Sequence, residues 1–178
     1  YCGTMLLRYD DRSDIRDTIS NSVELIVTNI ATDGHFPYNE KWTDVYILLY
    51  HSHVMYFLNL IALSAITSNK QRDLIEISLK EARKYLLSQK GDECLFKETS
   101  REEYSSYIIT LVTSLAALKN HMSNKDINRT LSNILEHYDD GKFYLFKDKR
   151  RRLTNKDLYK YNDVLLVEIS YWLTQYRL

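Results

Sequence analysis

The run Asp33-Gly34-His35-Phe36-Pro37-Tyr38-Asn39-Glu40-Lys41-Trp42-Thr43-Asp44 concentrates the side chains best suited to chemistry. Carboxylates at Asp33, Glu40 and Asp44 stand close in sequence to the His35 imidazole and the aromatic faces of Tyr38 and Trp42. Two carboxylates facing each other across a cleft are what glycoside hydrolysis needs, and their separation selects inversion or retention. Flat aromatic rings beside them offer a sugar ring an apolar platform. The chain's only proline, Pro37, lies inside this run.

Further candidates sit on the segments that follow. Asp44, Leu48, His51 and Met55 recur at three- and four-residue steps, so they share one helix face. Asp44 and His51 are two turns apart, about 10 Å along the axis, and flank one substrate rather than bond each other. His53 points about 200° around the helix from His51, so the two do not make a metal pair. Glu168 is a lone carboxylate among Val164, Leu165, Leu166, Val167 and Ile169. Such a group must find a partner or hold its proton, and a held proton suits general acid catalysis. Asp139, Asp140 and Tyr144 repeat the first loop's chemistry later in the chain, while Thr110, Thr113 and Ser114 form a hydroxyl stripe.

Each candidate also has a plainer reading. Asp33 and Asp140 suit turns, Tyr38 and Trp42 suit a plug over a helix pair, and the histidines suit satisfied core positions. Glu168 suits a structural bond, and small hydroxyl residues suit close helix packing. The expected catalytic set is Asp33, Glu40, Asp44, His51 and Glu168, and the expected substrate-binding set is His35, Tyr38, Trp42, Asp140 and Tyr144.

The elements that must position these residues follow from periodicity. Capping residues Asp10 to Asp14 precede an amphipathic helix carrying Ile15, Ile19, Val23, Ile26 and Ile30. Val45 to Ile66 contains no charged residue and reads as a helix apolar on all sides. That length raises a membrane span, but His51, Ser52, His53 and Asn59 are costly in hydrocarbon, so a protein-enclosed helix is expected. Arg72 to Ser88 is again amphipathic, with Ile75, Leu79, Ala82 and Leu86 on one face. A second apolar helix is expected over Tyr104 to Leu118, then an amphipathic one capped by Asn124 with Ile127, Leu131, Ile134 and Tyr138 in register. Asp139-Asp140-Gly141 ends that helix, Phe143 to Phe146 is extended, and Tyr161 to Tyr176 is a third apolar helix.

The alternation is therefore amphipathic helix, loop, apolar helix, three times over. Asp-Gly-type landmarks at Asp33-Gly34, Gly91-Asp92 and Asp140-Gly141 recur about 50 to 60 residues apart, a helical-hairpin period. Amphipathic helices form an outer layer and apolar helices an inner one. The expected fold is all-α: one domain over 1–178, built of hairpins at about 10–68, 70–120 and 123–178.

Composition bounds the partners. The chain has 178 residues and its acidic and basic residues balance at 24 each, so no net field favours nucleic acid. The one strong charge run, Lys147-Asp148-Lys149-Arg150-Arg151-Arg152, reads as a solvated loop or an anion-holding patch. Fifteen tyrosines fit either a wet concave surface or a biased genome composition. Cys2 and Cys94 give no metal spacing, and no cofactor or phosphate-binding signature is present. Residue 1 is Tyr, so the start of the chain carries no information about compartment.

Amphipathic helix, Asp-Gly-x-Phe with nearby Tyr or Trp, then buried helix resembles the repeat of α/α toroids. The matching residues are Asp33-Gly34-His35-Phe36-Pro37-Tyr38 and Asp140-Gly141-Lys142-Phe143-Tyr144, with Gly91-Asp92-Glu93-Cys94-Leu95-Phe96 reversing the pair between them. That group includes six-hairpin glycoside hydrolases, uronyl epimerases, lanthionine cyclases, terpenoid cyclases and prenyltransferases. The resemblance implies that three hairpins form half of a ring, completed by a homodimer or by an N-terminal half, or else an open arc. By analogy within that group the loop chemistry leans toward an oligosaccharide or polysaccharide ligand. The zinc set that prenyltransferases and lanthionine cyclases need is not expected, because Cys2 and Cys94 sit in unsuitable places for it, so no metal is expected. A terpenoid cyclase-like toroid and a non-enzymatic protein-binding scaffold are the alternatives.

Overall fold

The computed structural model describes residues 12–37, 47–97, 104–105, 108–118, 120–139, 142–143, 167, 169–171 and 173–174. The described chain is predominantly helical, with packed helices and two short two-stranded ladders. It divides into two compact units, Tyr1–Ser88 and Gln89–Leu178.

In the first unit, α1 (Ser13–Thr28) buries Ile19, Val23 and Val27, one residue every turn, and leaves its remaining faces to water. Helix α2 (Ile47–Ala62) carries no charged residue and buries Leu48, Met55, Leu58 and Ile61 together with His51 and Ser52. Helix α3 (Asn69–Ser88) buries Ile75, Leu79, Ala82 and Leu86. Both α1 and α2 pack on α3. Gln71 Nε2 on α3 donates to Ser20 Oγ on α1 at 2.5 Å, tying the two amphipathic helices at their edge.

The α2–α3 turn is closed by reciprocal caps. Ser68 N donates to Gln71 Oε1 at 3.1 Å while Gln71 N donates to Ser68 Oγ at 3.3 Å, which satisfies two orphan amides at the start of α3. Arg72 reaches back to Thr67 Oγ1 and Ser64 O at 3.2 and 3.1 Å. The helix therefore begins three residues before the Arg72 that apolar spacing suggested, because capping rather than hydrophobicity sets its start.

In the second unit, α4 (Ile108–Leu118) is buried along its whole length and packs on α5 (Asn124–Leu135). Ser123, not Asn124, is the N-cap of α5, accepting from Asp126 N at 3.1 Å. Strand β1 (Phe96–Lys97) pairs antiparallel with β2 (Tyr104–Ser105). The expected helix start at Tyr104 is thus corrected: Tyr104 and Ser105 are extended, since their backbone groups complete a ladder with β1. Strand β3 (Tyr138–Asp139) pairs with β4 (Lys142–Phe143). Helix α5 stops at Leu135, so Tyr138 belongs to a strand and is half-exposed rather than in helical register. Ile169 in the C-terminal helical residues is fully buried, whereas its neighbour Val167 is 70% exposed. That segment is therefore not apolar-covered on every side.

The loops after α1 and after α3 are built alike. Ala31 N donates to His35 O and Gly34 N to Ala31 O, both at 2.9 Å; Gly91 N donates to Leu95 O and Cys94 N to Gly91 O at the same distances. A left-handed residue stands at the same point of each, Gly34 at φ 92° and Cys94 at φ 55°, and a buried phenylalanine follows two residues later. Phe36 and Phe96 thus correspond, and Gly34 matches Cys94 rather than Gly91. The Asp-Gly pair that looked reversed at Gly91-Asp92 is shifted, its true counterpart being Glu93-Cys94.

Candidate functional site

Loop 31–37 lies against α3, and two histidines hold it in different ways. His51 projects from α2 and is wholly buried. Its Nδ1 accepts from Phe36 N–H at 3.1 Å, and its Nε2–H donates to the carbonyl of Ala82 on α3 at 3.0 Å. One imidazole therefore joins α2, the loop and α3, and both nitrogens are engaged by backbone. Burial pushes His51 down to about 4, against the opposing effect of the Ala82 carbonyl, so the ring is neutral near pH 7. In this geometry His51 positions the loop and offers no free nitrogen to a ligand.

Gly34 permits the close approach. A side chain there would bring its Cβ to 2.6 Å from the Glu81 carbonyl oxygen, and the backbone is already left-handed. The loop consequently seats directly on the α3 backbone, with Phe36 buried beneath it and stacked obliquely on His51 at 5.3 Å between ring centres.

Above this support stand Asp33 and His35. His35 Nδ1 and Asp33 Oδ1 are 2.6 Å apart, and His35 N–H donates to the same oxygen at 3.1 Å. Burial alone would raise the Asp33 carboxyl, but the hydrogen bonds from the His35 amide and ring together hold it below the usual carboxylate range. An ionised carboxylate only accepts, so Nδ1 carries the proton and Nε2 carries the lone pair in the neutral ring. Asp33 is 57% and His35 27% exposed at the side chain. Tyr85 on α3 supports both imidazoles, 5.4 Å from His35 and 5.1 Å from His51 between ring centres. Burial, aided by the Asp33 charge, raises the Tyr85 hydroxyl, which stays protonated as a donor.

Of the expected site residues, the structure brings together Asp33, His35 and His51. Tyr38, Glu40, Trp42, Asp44, Asp140, Tyr144 and Glu168 lie outside the described residues. Tyr85 was absent from the expected set, although its place was readable: it stands three residues after Ala82, on the rim of the α3 buried stripe. Thr113 donates to the Ile109 carbonyl at 2.8 Å, a bond within its own helix, and so belongs to packing.

The matching loop of the second unit carries different chemistry. Glu93 pairs with Arg129, and its carbonyl accepts from Asn133 Nδ2 at 2.7 Å. Lys90 Nζ donates to Asp126 Oδ2 at 2.8 Å, and the buried Cys94 thiol lies 3.5 Å from Asp126 Oδ1. Burial raises the Cys94 thiol more than the nearby Lys90 charge lowers it, so it remains a thiol. A shallow depression of about 470 Å³ opens beside this cluster, lined by Asp92, Lys125, Asp126 and Arg129 among others. Two of its charges are paired internally, Asp126 with Lys90 and Arg129 with Glu93.

Among the described residues no group of three His, Cys, Asp or Glu is placed to hold a metal ion, and no helix is long and apolar enough to cross a membrane. No protein-family model matches this chain, and no curated protein matches it either.

Proposed function

We propose that this chain is a carbohydrate-binding or carbohydrate-active domain of the α/α hairpin-repeat class, with its site on loop 31–37. The supporting observation is the solvent-facing Asp33–His35 pair beside Tyr85, on a loop whose own architecture does not require it. Loop 91–97 has the same backbone hydrogen bonds with Glu93 and Leu95 at those positions. The pair is therefore an addition to the backbone pattern that the two loops share, which supports a role at the surface. An ionised carboxylate accepts sugar hydroxyls, the imidazole and phenol supply further polar contacts, and Tyr38, Glu40, Trp42 and Asp44 follow directly in the chain.

A panel of neutral and uronic oligosaccharides titrated into the chain, read by calorimetry and tryptophan fluorescence, tests the proposal. Saturable binding that weakens about tenfold or more in Asp33→Ala, the loss of one charge-assisted hydrogen bond, is expected. No binding across the panel by a folded chain would sink it.

A protein-binding scaffold is the second reading. It is favoured by the inner polar residues: His51 and Thr113 are bonded internally, and Ser52, His53, Thr110 and Ser114 also have partners. On that reading the inner helices face no ligand, and Asp33 with His35 is a surface ion pair.

A further inference from the structure

The geometry points to His35 Nε2 as a proton-transfer atom, with Asp33 as the residue that orients it. Its substrate class, a hydroxyl-bearing saccharide or the water attacking one, rests on the carbohydrate reading above.

Several observations converge on this assignment. The Asp33 carboxylate holds Nδ1 at 2.6 Å, which fixes the proton on that nitrogen and turns the lone pair of Nε2 away from the carboxylate. The same Asp33 oxygen also accepts the His35 amide at 3.1 Å, so carboxylate, backbone and ring are locked as one unit. Tyr85 packs against the ring and limits its rotation, while the side chain keeps about a quarter of its surface in water. Among the described residues Nε2 has no hydrogen-bond partner of its own. His51, one ring away, has the opposite tautomer and both nitrogens engaged, so the two imidazoles divide into a structural and a chemical one.

The step is a proton transfer. The O–H bond of a bound hydroxyl or water breaks, its electron pair stays on oxygen, and the proton forms an N–H bond at Nε2. The imidazolium so formed is held by the Asp33 carboxylate, and the reverse transfer returns the proton to a departing oxygen.

The full chain and its Asp33→Asn and His35→Gln variants test the assignment. Long-range nitrogen–proton NMR correlations are expected to show neutral His35 as the Nδ1–H form and His51 as the Nε2–H form, with the His35 preference lost in Asp33→Asn. Diethyl pyrocarbonate, with modified peptides mapped by mass, should acylate His35 about tenfold faster than His51, and several-fold slower in Asp33→Asn. A His35 found as the Nε2–H form, or one whose reactivity is unchanged by Asp33→Asn, overturns the dyad. His35→Gln controls for signals and modification assigned to that ring. Protection by a bound oligosaccharide separates the two proposals. The tautomer signature without protection removes the saccharide reading alone, and protection without the signature removes the dyad alone.

Discussion

Gly34 and Cys94 hold equivalent left-handed positions but sit under different constraints. Gly34 needs both its φ of 92° and the absence of a Cβ, which would meet the Glu81 carbonyl oxygen at 2.6 Å. Gly34→Ala should therefore cost about 2 to 4 kcal/mol in urea unfolding, combining left-handed strain with a backbone clash. Cys94 tolerates a side chain because its sulfur enters the space beside Asp126. Cys94→Gly should shift stability by less than about 1 kcal/mol, since relief of strain offsets the lost thiol packing. A Gly34→Ala protein as stable as the parent would mean that the loop does not seat on α3 as described. Sequence alone marked Gly34 as a turn residue; it could not show that the glycine is needed for a backbone contact nearly fifty residues away.

At the scale of elements, the helices owe their positions to capping and cross-links as much as to apolar stripes. The Ser68–Gln71 reciprocal cap defines the start of α3 and, through Gln71, reaches Ser20 on α1. Ser68→Ala should lower stability by about 1 kcal/mol. Gln71→Ala should cost a similar amount or more, because it removes both the cap and the α1 contact. Thermal unfolding of the two variants checks this, and a neutral Gln71→Ala would count against the α1–α3 tie. The stripe Ile75, Leu79, Ala82 and Leu86 was readable at its 3.6-residue period, and all four are buried. Tyr104 and Ser105 were misread as helix because their pairing partners, Lys97 and Phe96, lie in another segment that local periodicity does not see.

For the molecule as a whole, His51 couples folding of the first unit to pH. Its folded value is about 4, against about 6.5 when exposed, because burial disfavours the charged ring. Below about pH 6.5 the unfolded chain takes up a proton that the native state refuses, so stability falls as pH drops from 6.5 toward 4. Above 6.5 this contribution is fully present. His53, also pushed down to about 4 chiefly by burial, acts in the same direction and window. Each group contributes up to about 3 kcal/mol to the loss. Denaturant unfolding between pH 4 and 8 should show that slope, and His51→Gln should flatten part of it while lowering stability near pH 7. A His51→Gln chain with the parent's slope would show that His51 does not protonate on unfolding.

The sequence by itself determined the helical class, the amphipathic and apolar characters of successive helices, and the turn at Asp33-Gly34. Those properties are local: they depend on residue type and on spacing within one or two turns. Only the tertiary structure decided that both nitrogens of His51 meet backbone groups, that Tyr85 packs beside His35 and His51, and that Glu93-Cys94 is the counterpart of Asp33-Gly34. Each of those rests on a partner distant in sequence, such as the Ala82 carbonyl for His51, or on a φ angle that residue type does not disclose. A fully buried imidazole and a partly exposed one look the same in sequence, and the carbonyl or carboxylate that each meets in space separates them.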